Sequence, residues 1–457
     1  MTESLGSATI ERLATRLREP AWVTELRRAA WRRYTQLPWP HTSDDVWRRT
    51  DVTLLDPLRE CAPVEAGLHQ RIAVSERQLA DLTRPLGDEQ LLVRANGAWL
   101  TEPQLPQIVV EELAATAGAD PIRRAIEADG LTDAEHKLTS LNLAFHHDDL
   151  VIRIPAGYHA SAPLRLVRLF SASAHQALFP LTVMTIGAGS TVTIIDEAVS
   201  VAASSEAPHL VNGRTELILE RDAVVHYVRL QRWHHNAREF HLQRATLAEG
   251  ARLTAANITL GAALSKAHLV TKLSGERATA RLYGFVFGHG DQHVDQHTLQ
   301  DHHAPHTESD LQFKAALQDR SRMIYTGLIR IAKAAAQTRA YQANHNLLLS
   351  DTARAATIPM LEILADDVQC KHGASIGPID EEQTFYLRSR GLTRAHAQRL
   401  LVMGFIEPII QQIPFEPLQQ RLREEIEGGL HPEPGQGTGD EGWGNTNPRP
   451  TLHAPCP

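Results

Sequence analysis

The chain has 457 residues, of which 42% are hydrophobic and 22% charged, and this composition is typical of a folded globular protein. Its formal net charge is −8, and because acidic and basic residues are mixed along most of the chain, the composition disfavours a nucleic-acid-binding protein. No apolar run reaches the ~18 to 20 residues that a membrane helix needs, and residues 1–20 lack the apolar core of a signal peptide, so we expect a cytoplasmic protein without a membrane partner.

The first predicted element is an amphipathic helix between Glu19 and Leu37, which begins at Pro20 and ends at a Leu-Pro-Trp-Pro segment. Its apolar residues recur every four positions, as expected for one face of a helix. They are Trp22, Leu26, Ala30 and Tyr34. We assign residues 1–90 to an N-terminal helical and mixed region.

From about Leu91 the chain consists of short runs rich in Val, Ile, Leu and Thr, which predict β-strands. A turn-like pair followed by a strand recurs at intervals of about 25 to 35 residues, which is typical of a solenoid whose coils bury their apolar faces by stacking. We therefore predict a parallel β-helix over residues 91–377, with a large sandwich or barrel as the alternative. The clearest predicted strands are Leu150 to Ile154, Leu164 to Leu169, Leu181 to Ile186, Thr191 to Ile195, Thr215 to Leu219, Val224 to Leu230, Leu253 to Leu260 and Ala280 to Phe287.

Helical signals return after Pro378. Asp380 with Gln383 resembles a capping box, Gly391 suits a helix end, and Thr393 suits the next helix start. The spacing predicts one apolar face in the second helix, with Pro408 as a kink or early end, and a last helix with its own apolar stripe. The first set is Leu400, Leu401, Gly404, Phe405 and Ile409, and the second is Leu418, Leu422 and Ile426. Residues 378–427 form this helical region, and residues 428–457, with Cys456, are predicted to be disordered.

The strongest candidate site is the pair Cys370 and His372, in an extended segment that leads into the C-terminal helices. Side chains two apart on a strand point the same way, so a thiol and an imidazole would face one side together. Such ligands suit iron, an iron–sulfur cluster or zinc, but two ligands are fewer than these sites use, so a partner would have to complete the site. The alternative is a buried free cysteine beside a hydrogen-bonded histidine.

A second candidate is a row of alternating acidic residues and histidines, Asp291, His293, Asp295 and His297. On a strand the row would share one face and could hold a divalent ion. A solvated polar face of a half-exposed strand produces the same alternation, and we favour that interpretation.

Most sequence signatures of common enzymes are absent. The chain lacks the phosphate-binding G-x-x-x-x-G-K-[ST], the metal-binding H-E-x-x-H and any paired C-x-x-C. Three widely separated cysteines, Cys61, Cys370 and Cys456, also argue against a disulfide framework. We therefore expect a protein without an ATP site or catalytic centre of its own.

Five segments, taken in order, resemble the SufB/SufD family of iron–sulfur cluster assembly proteins. Together they cover roughly residues 19–427, and the strongest is C-K-H-G-A-S-I-G, which is similar to the family's C-x-H-G-[AS]-x-[VI]-G. Within the family, the short N-terminal region and the C-x-H-G junction resemble the SufD branch. The segments are Glu19 to Pro38, Trp47 to Asp51 (W-R-R-T-D), Asp301 to Thr307 (D-H-H-A-P-H-T), Cys370 to Gly377 and Asp380 to Gly391 (D-E-E-Q-T-F-Y-L-R-S-R-G).

The resemblance implies a right-handed parallel β-helix with helical ends that pairs with a SufB-type subunit through its terminal coils. It also implies that the helices after Pro378 dock a SufC-type ATPase, whose ATP-driven movement the solenoid would transmit to the SufB contact, and that a cysteine desulfurase system acts indirectly. The residues that we expect to dock the ATPase are Asp380, Phe385, Tyr386, Arg388, Arg390, Leu401 and Phe405.

In this family a transient iron–sulfur cluster or iron is shared with SufB, and the resemblance makes His372 the expected ligand, with Cys370 the next candidate. Lys371 stands where the family often has a small residue, which leaves the ligand assignment open. The resemblance also leaves open whether a flavin binds the assembled complex, and in which oligomeric state the isolated chain exists.

The expected function is thus that of a non-catalytic scaffold subunit of the SUF assembly complex. The alternatives are a SufB-like subunit, a homo-oligomeric metal-binding β-helix protein that uses the His-rich tract between Phe287 and Ser309, and a polysaccharide-acting β-helix enzyme. The enzyme would place Asp291, His293 and Asp295 in a surface groove, but such enzymes are usually exported and line their grooves with aromatic residues, which are 5% of this chain.

Overall fold

The computed structural model describes residues 5–44, 46–64, 76–101, 103, 105–116, 120–127, 133–171, 176–201 and 209–430. The predicted disordered tail lies outside these residues from position 431 onwards, as does Cys456. Two 3₁₀ turns, Val52–Leu55 and Leu113–Ala115, accompany the helices. The helices are α1 Ser7–Arg16, α2 Ala21–Gln36, α3 Asp56–Glu60, α4 Glu76–Leu82, α5 Asp120–Glu127, α6 Asp133–Phe145, α7 Glu381–Ser389, α8 Arg394–Ile410 and α9 Glu416–Gly429.

Strands make up the middle of the chain. They are β1 Ala62–Pro63, β2 Gln90–Ala95, β3 Ala98–Trp99, β4 Val109–Glu111, β5 Asp148–Ile154, β6 Leu164–Phe170, β7 Gln176–Leu178, β8 Pro180–Ile186, β9 Thr191–Ser200, β10 His209–Leu219, β11 Val224–Arg232, β12 Ala237–Leu247, β13 Arg252–Thr259, β14 Leu264–Leu273, β15 Thr279–Gly288, β16 His293–His302, β17 Glu308–Leu317, β18 Arg322–Ile331, β19 Thr338–Leu348, β20 Arg354–Ile363 and β21 Val368–Pro378.

These strands form two sheets in which alternate strands are neighbours. The first sheet has the order β20-β18-β16-β14-β12-β10-β8-β5-β4, with β1 and β7 at its side, and the second has the order β21-β19-β17-β15-β13-β11-β9-β6-β2-β3. Pairing is parallel except between β4 and β5 and between β2 and β3. One coil takes 26 residues between Arg238 and Leu264 and 32 residues between Arg322 and Arg354. The parallel β-helix is therefore confirmed, and the sandwich and barrel are excluded; its right-handed sense stays a prediction.

Apolar side chains that face inward from both sheets fill the solenoid. In the second sheet Tyr227, Ala255, Leu282 and Leu311 follow one another in register through four coils, and each is at most 8% exposed. Fully burying one such leucine stabilises a fold by about 1.5 to 3 kcal/mol. Because each coil covers the next, each coil is stabilised mainly by packing on its neighbours.

The recurrent turns predicted from the sequence are present at one corner of the coil. Gly189, Asp222, Gly250 and Arg277 all adopt left-handed backbone conformations, with φ between 57° and 67°. The N–H groups of the first three donate to carbonyls of the next coil at 2.9 Å. At Gly250 a Cβ atom would lie 2.2 Å from Asp222 Oδ1, and the left-handed backbone disfavours a side chain, so a larger residue would be strained and would have to displace the Asp222 side chain.

The N-terminal helices cover the outer face of the first sheet. The predicted amphipathic helix is confirmed as α2, which packs against α6, and the side chains of Tyr34, Phe145, Phe179 and Phe240 share one buried cluster. Helices α5 and α6 fall within the range that we assigned to the β-helix. In α6 polar residues such as Asn142 are buried together with the leucines, so the segment shows no helical apolar period in its sequence.

Helices α8 and α9 cover the outer face of the second sheet. The predicted stripe of α9, Leu418, Leu422 and Ile426, is buried as expected. The predicted face of α8 is wrong in part, because Leu400 is 54% exposed and Gly404 is exposed. The residues that α8 buries are Ala397, Val402, Ile406, Ile409 and Ile410.

Two apolar stripes adjoin on α8, and the sequence alone does not indicate which one packs on the sheet. Pro408 does not end α8, because the helix continues to Ile410. None of the helices in the described ranges is long and apolar enough to span a membrane.

Candidate functional site

Cys370 and His372 lie on β21, the last strand of the second sheet. They pair in register with Ala340 and Gln342 of β19. The side chain of Gln342 crosses the interior and donates to the carbonyl oxygens of Gly327 and Met360 in the first sheet, at 3.3 Å each. Because paired residues of adjacent parallel strands point the same way, Cys370 and His372 share the inner face of the terminal coil.

The two candidate ligands differ in burial. Cys370 is half-buried, and burial raises the pKa of its thiol above the ordinary value. His372 is exposed. The pair is therefore reachable from the open end of the solenoid and is not enclosed in its core. The apolar side chains around Cys370 are Ile329, Ile331, Ala335, Ala340 and Ala365.

Amide side chains underlie this pair. At three inner positions of β19, amides stand where β17 has apolar residues. The candidate residues predicted from the sequence do not include these amides, although the alternation from Tyr341 to Asn346 marks them as one face of a strand. The register pairs are Leu311 with Gln342, Phe313 with Asn344 and Ala315 with Asn346.

Lys371 lies on the opposite, outer face of β21. It lines an open groove of about 450 Å³, together with the side chains of Arg339, Tyr341, Arg281 and Asp310. The amine of Lys371 therefore does not lie between the Cys370 thiol and the His372 imidazole, although it separates them in sequence.

The terminal coil has no further strand beside it among the described residues. β20 ends the first sheet and β21 ends the second, so within that part of the chain each has one unpaired edge. Free strand edges beside exposed apolar side chains are a ready site for adding further strands. The exposed apolar residues here are Met360 (40%), Leu361 (38%), Ile363 (39%), Leu364 (60%) and Ile376 (43%).

Metal-binding capacity at this site is small. Within the described part of the chain, no three or more His, Cys, Asp or Glu side chains form a group that could hold a metal ion. Cys370 and His372 thus offer two ligands, whereas iron–sulfur clusters and zinc sites usually have four protein ligands.

Helix α7 begins two residues after β21. Asp380 caps it, because its carboxylate accepts from the N–H groups of Glu382 and Gln383 at 2.8 and 3.3 Å. Phe385 and Tyr386 are 71% and 55% exposed. Four of the predicted docking residues thus lie on one short exposed helix and its end, namely Phe385, Tyr386, Arg388 and Arg390, with the Arg390 guanidinium 5.1 Å from the centre of the Tyr386 ring.

The two predicted docking residues on α8 are less accessible. Leu401 and Phe405 are half-buried. Lys314 of β17 donates to the Phe405 carbonyl oxygen at 2.6 Å, and its amine lies 4.7 Å from the centre of the Phe405 ring. Phe405 is therefore held by its own chain, while Leu400, which was not among the predicted docking residues, is exposed.

The row of acidic residues and histidines is not a solvated face, and that prediction is wrong. Asp295 is 1% exposed, and its carboxylate lies 2.5 Å from the Lys266 amine and 2.9 Å from His297 Nε2. Burial by itself would raise the pKa of Asp295, but Lys266 and His297 outweigh it and hold the pKa below its usual range.

The N-terminal W-R-R-T-D segment covers this row. The Thr50 hydroxyl donates to Asp295, the Val46 carbonyl accepts from Lys266 at 2.6 Å, and the Trp47 ring centre lies 4.6 Å from the Lys266 amine. An ammonium group thus occupies the place that a divalent ion would take. The alternation of residue types predicted that these side chains share one face of a strand. It did not predict that this face is covered by Thr50, which lies 245 residues before Asp295 in the sequence.

The other two members of the row, Asp291 and His293, are more exposed than Asp295. Asp291 lies in an exposed turn and forms an ion pair with Arg320 at 2.6 Å. His293 is half-buried, and burial lowers its pKa. Asp291, His293 and Asp295 therefore do not line one surface groove, as the alternative of a polysaccharide-acting enzyme requires.

The D-H-H-A-P-H-T segment forms a corner of the coil. His302 is fully buried, and its ring nitrogens lie 2.8 Å from Thr307 Oγ1 and 2.9 Å from Ser309 Oγ. Burial lowers the pKa of His302 to about 4. His303 and Asp301 form a partly exposed pair at 2.8 Å. These contacts give the D-H-H-A-P-H-T segment a structural role at this corner of the coil.

Comparison with known proteins agrees with the fold and the segments. The family model described as "SUF system FeS cluster assembly, SufBD core domain" matches residues 169–405. An iron–sulfur cluster assembly SufBD family protein of Synechocystis is 28% identical over 398 residues, 84% of this chain and 86% of the relative. The iron–sulfur cluster assembly protein SufD of Escherichia coli is 31% identical over 245 residues, 53% of this chain and 57% of the relative. A SufBD family protein of Staphylococcus saprophyticus is 26% identical over 300 residues, 65% of this chain and 64% of the relative. The chain belongs to the SufBD family of iron–sulfur cluster assembly proteins.

Proposed function

We propose that this protein is a SufD-type, non-catalytic scaffold subunit that pairs with a SufB-type subunit and docks a SufC-type ATPase. Iron or a nascent iron–sulfur cluster is its cargo. The observation that carries the proposal is the position of Cys370 and His372 on the inner face of an uncovered terminal coil. The likeness to a relative named SufD supports the branch within the family.

The ligand set motivates the pairing. The thiol and the imidazole provide two ligands, so a partner that adds its own strands to the terminal coil would bring further ligands to the same interior. The amides of Gln342, Asn344 and Asn346 supply polar surroundings beneath that position. A cluster held in this way would be shared between subunits, which suits transient assembly.

Strand edges and apolar surface support the place of pairing. A SufB-type partner with a β-helix of its own would continue both sheets at β20 and β21 by main-chain hydrogen bonds. Leu361, Ile363 and Ile376 would then be buried, and burial of such side chains is the main favourable contribution to association.

Docking of the ATPase is proposed at α7 and the exposed side of α8. Phe385 and Tyr386 are large, exposed aromatic residues, and such residues often dominate the binding energy of an interface. Asp380 contributes by capping α7, and Leu401 and Phe405 by fixing α8 on the solenoid. Because only Ile379 and Asp380 separate β21 from α7, a movement of the helix would act directly on the strand that carries Cys370 and His372.

Reconstituted cluster assembly with the SufB-type and SufC-type partners and a cysteine desulfurase tests the ligand role. His372→Ala should lower the rate of cluster formation at least tenfold while the three-subunit complex still forms. Lys371→Ala is the matched control, because it alters the adjacent side chain on the outer face and should leave the rate unchanged. Normal assembly by His372→Ala would refute the ligand role, and failure of the wild-type complex to form would refute the proposed partnership.

A further inference from the structure

Glu197 of β9 is the meeting point of the solenoid and the last helix. Its side chain is 0% exposed, and three arginines converge on its carboxylate. Arg165 of β6 reaches Oε2 at 3.0 Å, while Arg232 of β11 and Arg421 of α9 reach Oε1 at 3.0 and 2.8 Å. Burial by itself would raise the pKa of Glu197, but Arg421, Arg232 and Arg165 outweigh it and lower the pKa to about 2.

Two further carboxylates balance the arginines. Glu89 lies 2.9 Å from Arg165, and Glu425 of α9 lies 2.9 Å from Arg232. We call these six groups the Glu197 cluster; its members are Glu89, Arg165, Glu197, Arg232, Arg421 and Glu425. With three arginines and three glutamates, the cluster has no formal net charge.

The cluster divides into two neutral halves. Helix α9 contributes Arg421 and Glu425, one positive and one negative charge, which lie four residues apart and therefore on one face of the helix. The remaining four groups, two positive and two negative, stay with the solenoid and the segment before it. If α9 left the surface, neither half would retain an unbalanced charge.

This division matters because of how buried charges behave. Removing one partner of a buried ion pair is strongly destabilising when the other charge is left uncompensated. A contact that separates into neutral halves avoids that penalty, yet its geometry still specifies a single docked position. The buried leucines and isoleucine of α9 provide the nonpolar part of the attachment.

We infer that the Glu197 cluster is a release latch for the C-terminal helices, with Arg421 as the positioning residue that holds α9 on the solenoid. This inference rests on the proposed docking of the ATPase at α7 and α8, which precede α9 in the chain. While the Glu197 cluster is intact, movement of α7 and α8 leaves α9 in place on the solenoid. When the cluster separates, the same movement carries α9 away from strands β6, β9 and β11.

Hydrogen exchange of the full chain tests the latch. Arg421→Met keeps an apolar side chain but removes the charge. Amides of residues 416–429 should then exchange about tenfold faster than in the wild type, because the ion pairs that oppose local opening of α9 are lost. Amides of β13 to β19 should be unchanged. Arg423→Met is the matched control: it removes a guanidinium two residues away that binds Glu407 of α8 at 2.8 Å and not the solenoid.

Unchanged exchange of α9 in Arg421→Met would overturn the inference, and so would equal acceleration in Arg423→Met or uniform acceleration across the solenoid. If Arg421→Met does not fold, Arg421→Gln, which removes the charge but keeps a hydrogen-bond donor, gives the same comparison. In the assembled complex, ATP should accelerate exchange of α9 in the wild type. No response of α9 while the ATPase is bound would refute the latch, whereas absence of ATPase binding would refute the proposed docking and leave the result for the isolated chain standing.

Discussion

His372 lies beside Gln342 on the inner face of the solenoid, in the register that places Leu311 beside Gln342 one coil earlier. The three residues occupy equivalent positions in successive coils, so one row of the interior passes from a leucine to an amide to an exposed imidazole. This row of the interior therefore ends in polar side chains, and among the described residues no further strand pairs with the terminal coil. An isolated chain leaves that end in contact with water.

Leu361→Lys should block pairing with the SufB-type subunit. The substitution removes an apolar side chain at the terminal coil and introduces a charge, and loss of one such contact weakens binding about 10- to 100-fold. Because Leu361 is 38% exposed, the melting temperature of the isolated chain should change little. Affinity is measured by titration of the purified subunits.

Leu100→Lys is the control for this experiment, since Leu100 is 45% exposed beside β3 at the other end of the second sheet. Equal weakening by Leu100→Lys and Leu361→Lys would show that pairing does not use the terminal coil.

Phe385→Ala should weaken binding of the SufC-type ATPase without affecting SufB pairing. The ring is 71% exposed in the isolated chain, so its removal costs little folding free energy, whereas an aromatic anchor at an interface is often worth 2 kcal/mol or more, about 30-fold in affinity. Binding of the ATPase to the purified chain gives the dissociation constant. Leu361→Lys should bind the ATPase normally; an effect of both variants on both partners would mean that the two surfaces are not separate.

Alkylation of Cys370 should be slow at neutral pH. Because burial raises its pKa, the reactive thiolate is scarce at pH 7, and the rate with iodoacetamide should still be rising above pH 9.0, the ordinary pKa of the group. Mass spectrometry of a Cys456→Ser chain separates the two remaining thiols. Cys61 is the internal control, since burial raises its pKa to about 12 and it should not react until the chain unfolds. A rate that levels off below pH 8 would mean that the thiolate of Cys370 is stabilised and that our account of its surroundings is wrong.

Acid should destabilise the fold through His302. Its pKa in the folded chain, about 4, is below the 6.5 of an unperturbed histidine, so the unfolded state binds the proton first as the pH falls. The stabilisation by neutral His302 is complete above pH 6.5 and is lost between pH 6.5 and about 4, on the order of 3 kcal/mol in the free energy of unfolding. Denaturant titrations at several pH values measure this slope.

His302→Gln should reduce that slope, and the control His303→Gln, which alters a partly exposed ring next to it, should preserve it. Equal slopes in the wild type and His302→Gln would show that His302 does not titrate as its burial implies.

Short-range features could be predicted from the sequence because their causes are local. The turns at Gly189 and Asp222 need a left-handed backbone, and residues that tolerate it stand there. The cap at Asp380 uses an N–H group three residues away. The shared face of Cys370 and His372 follows from the two-residue repeat of a strand.

Features that depend on what covers a surface could not be predicted in this way. The residues of α8 that are buried differ in part from the predicted ones, because both sets are apolar and the local sequence pattern does not distinguish them. Burial of Asp295 depends on Thr50, 245 residues earlier. The Glu197 cluster likewise joins β9 to α9 across 224 residues.

The sequence by itself thus determined the repeating coil, its turns, its helical ends and the position of the candidate ligands, since each follows from backbone preference and side-chain alternation over a few residues. Only the tertiary structure decided which polar residues are paired and buried, which apolar residues are exposed, and where α9 packs on the solenoid. Those outcomes depend on desolvation and on contacts between segments far apart in the chain, which no local pattern encodes.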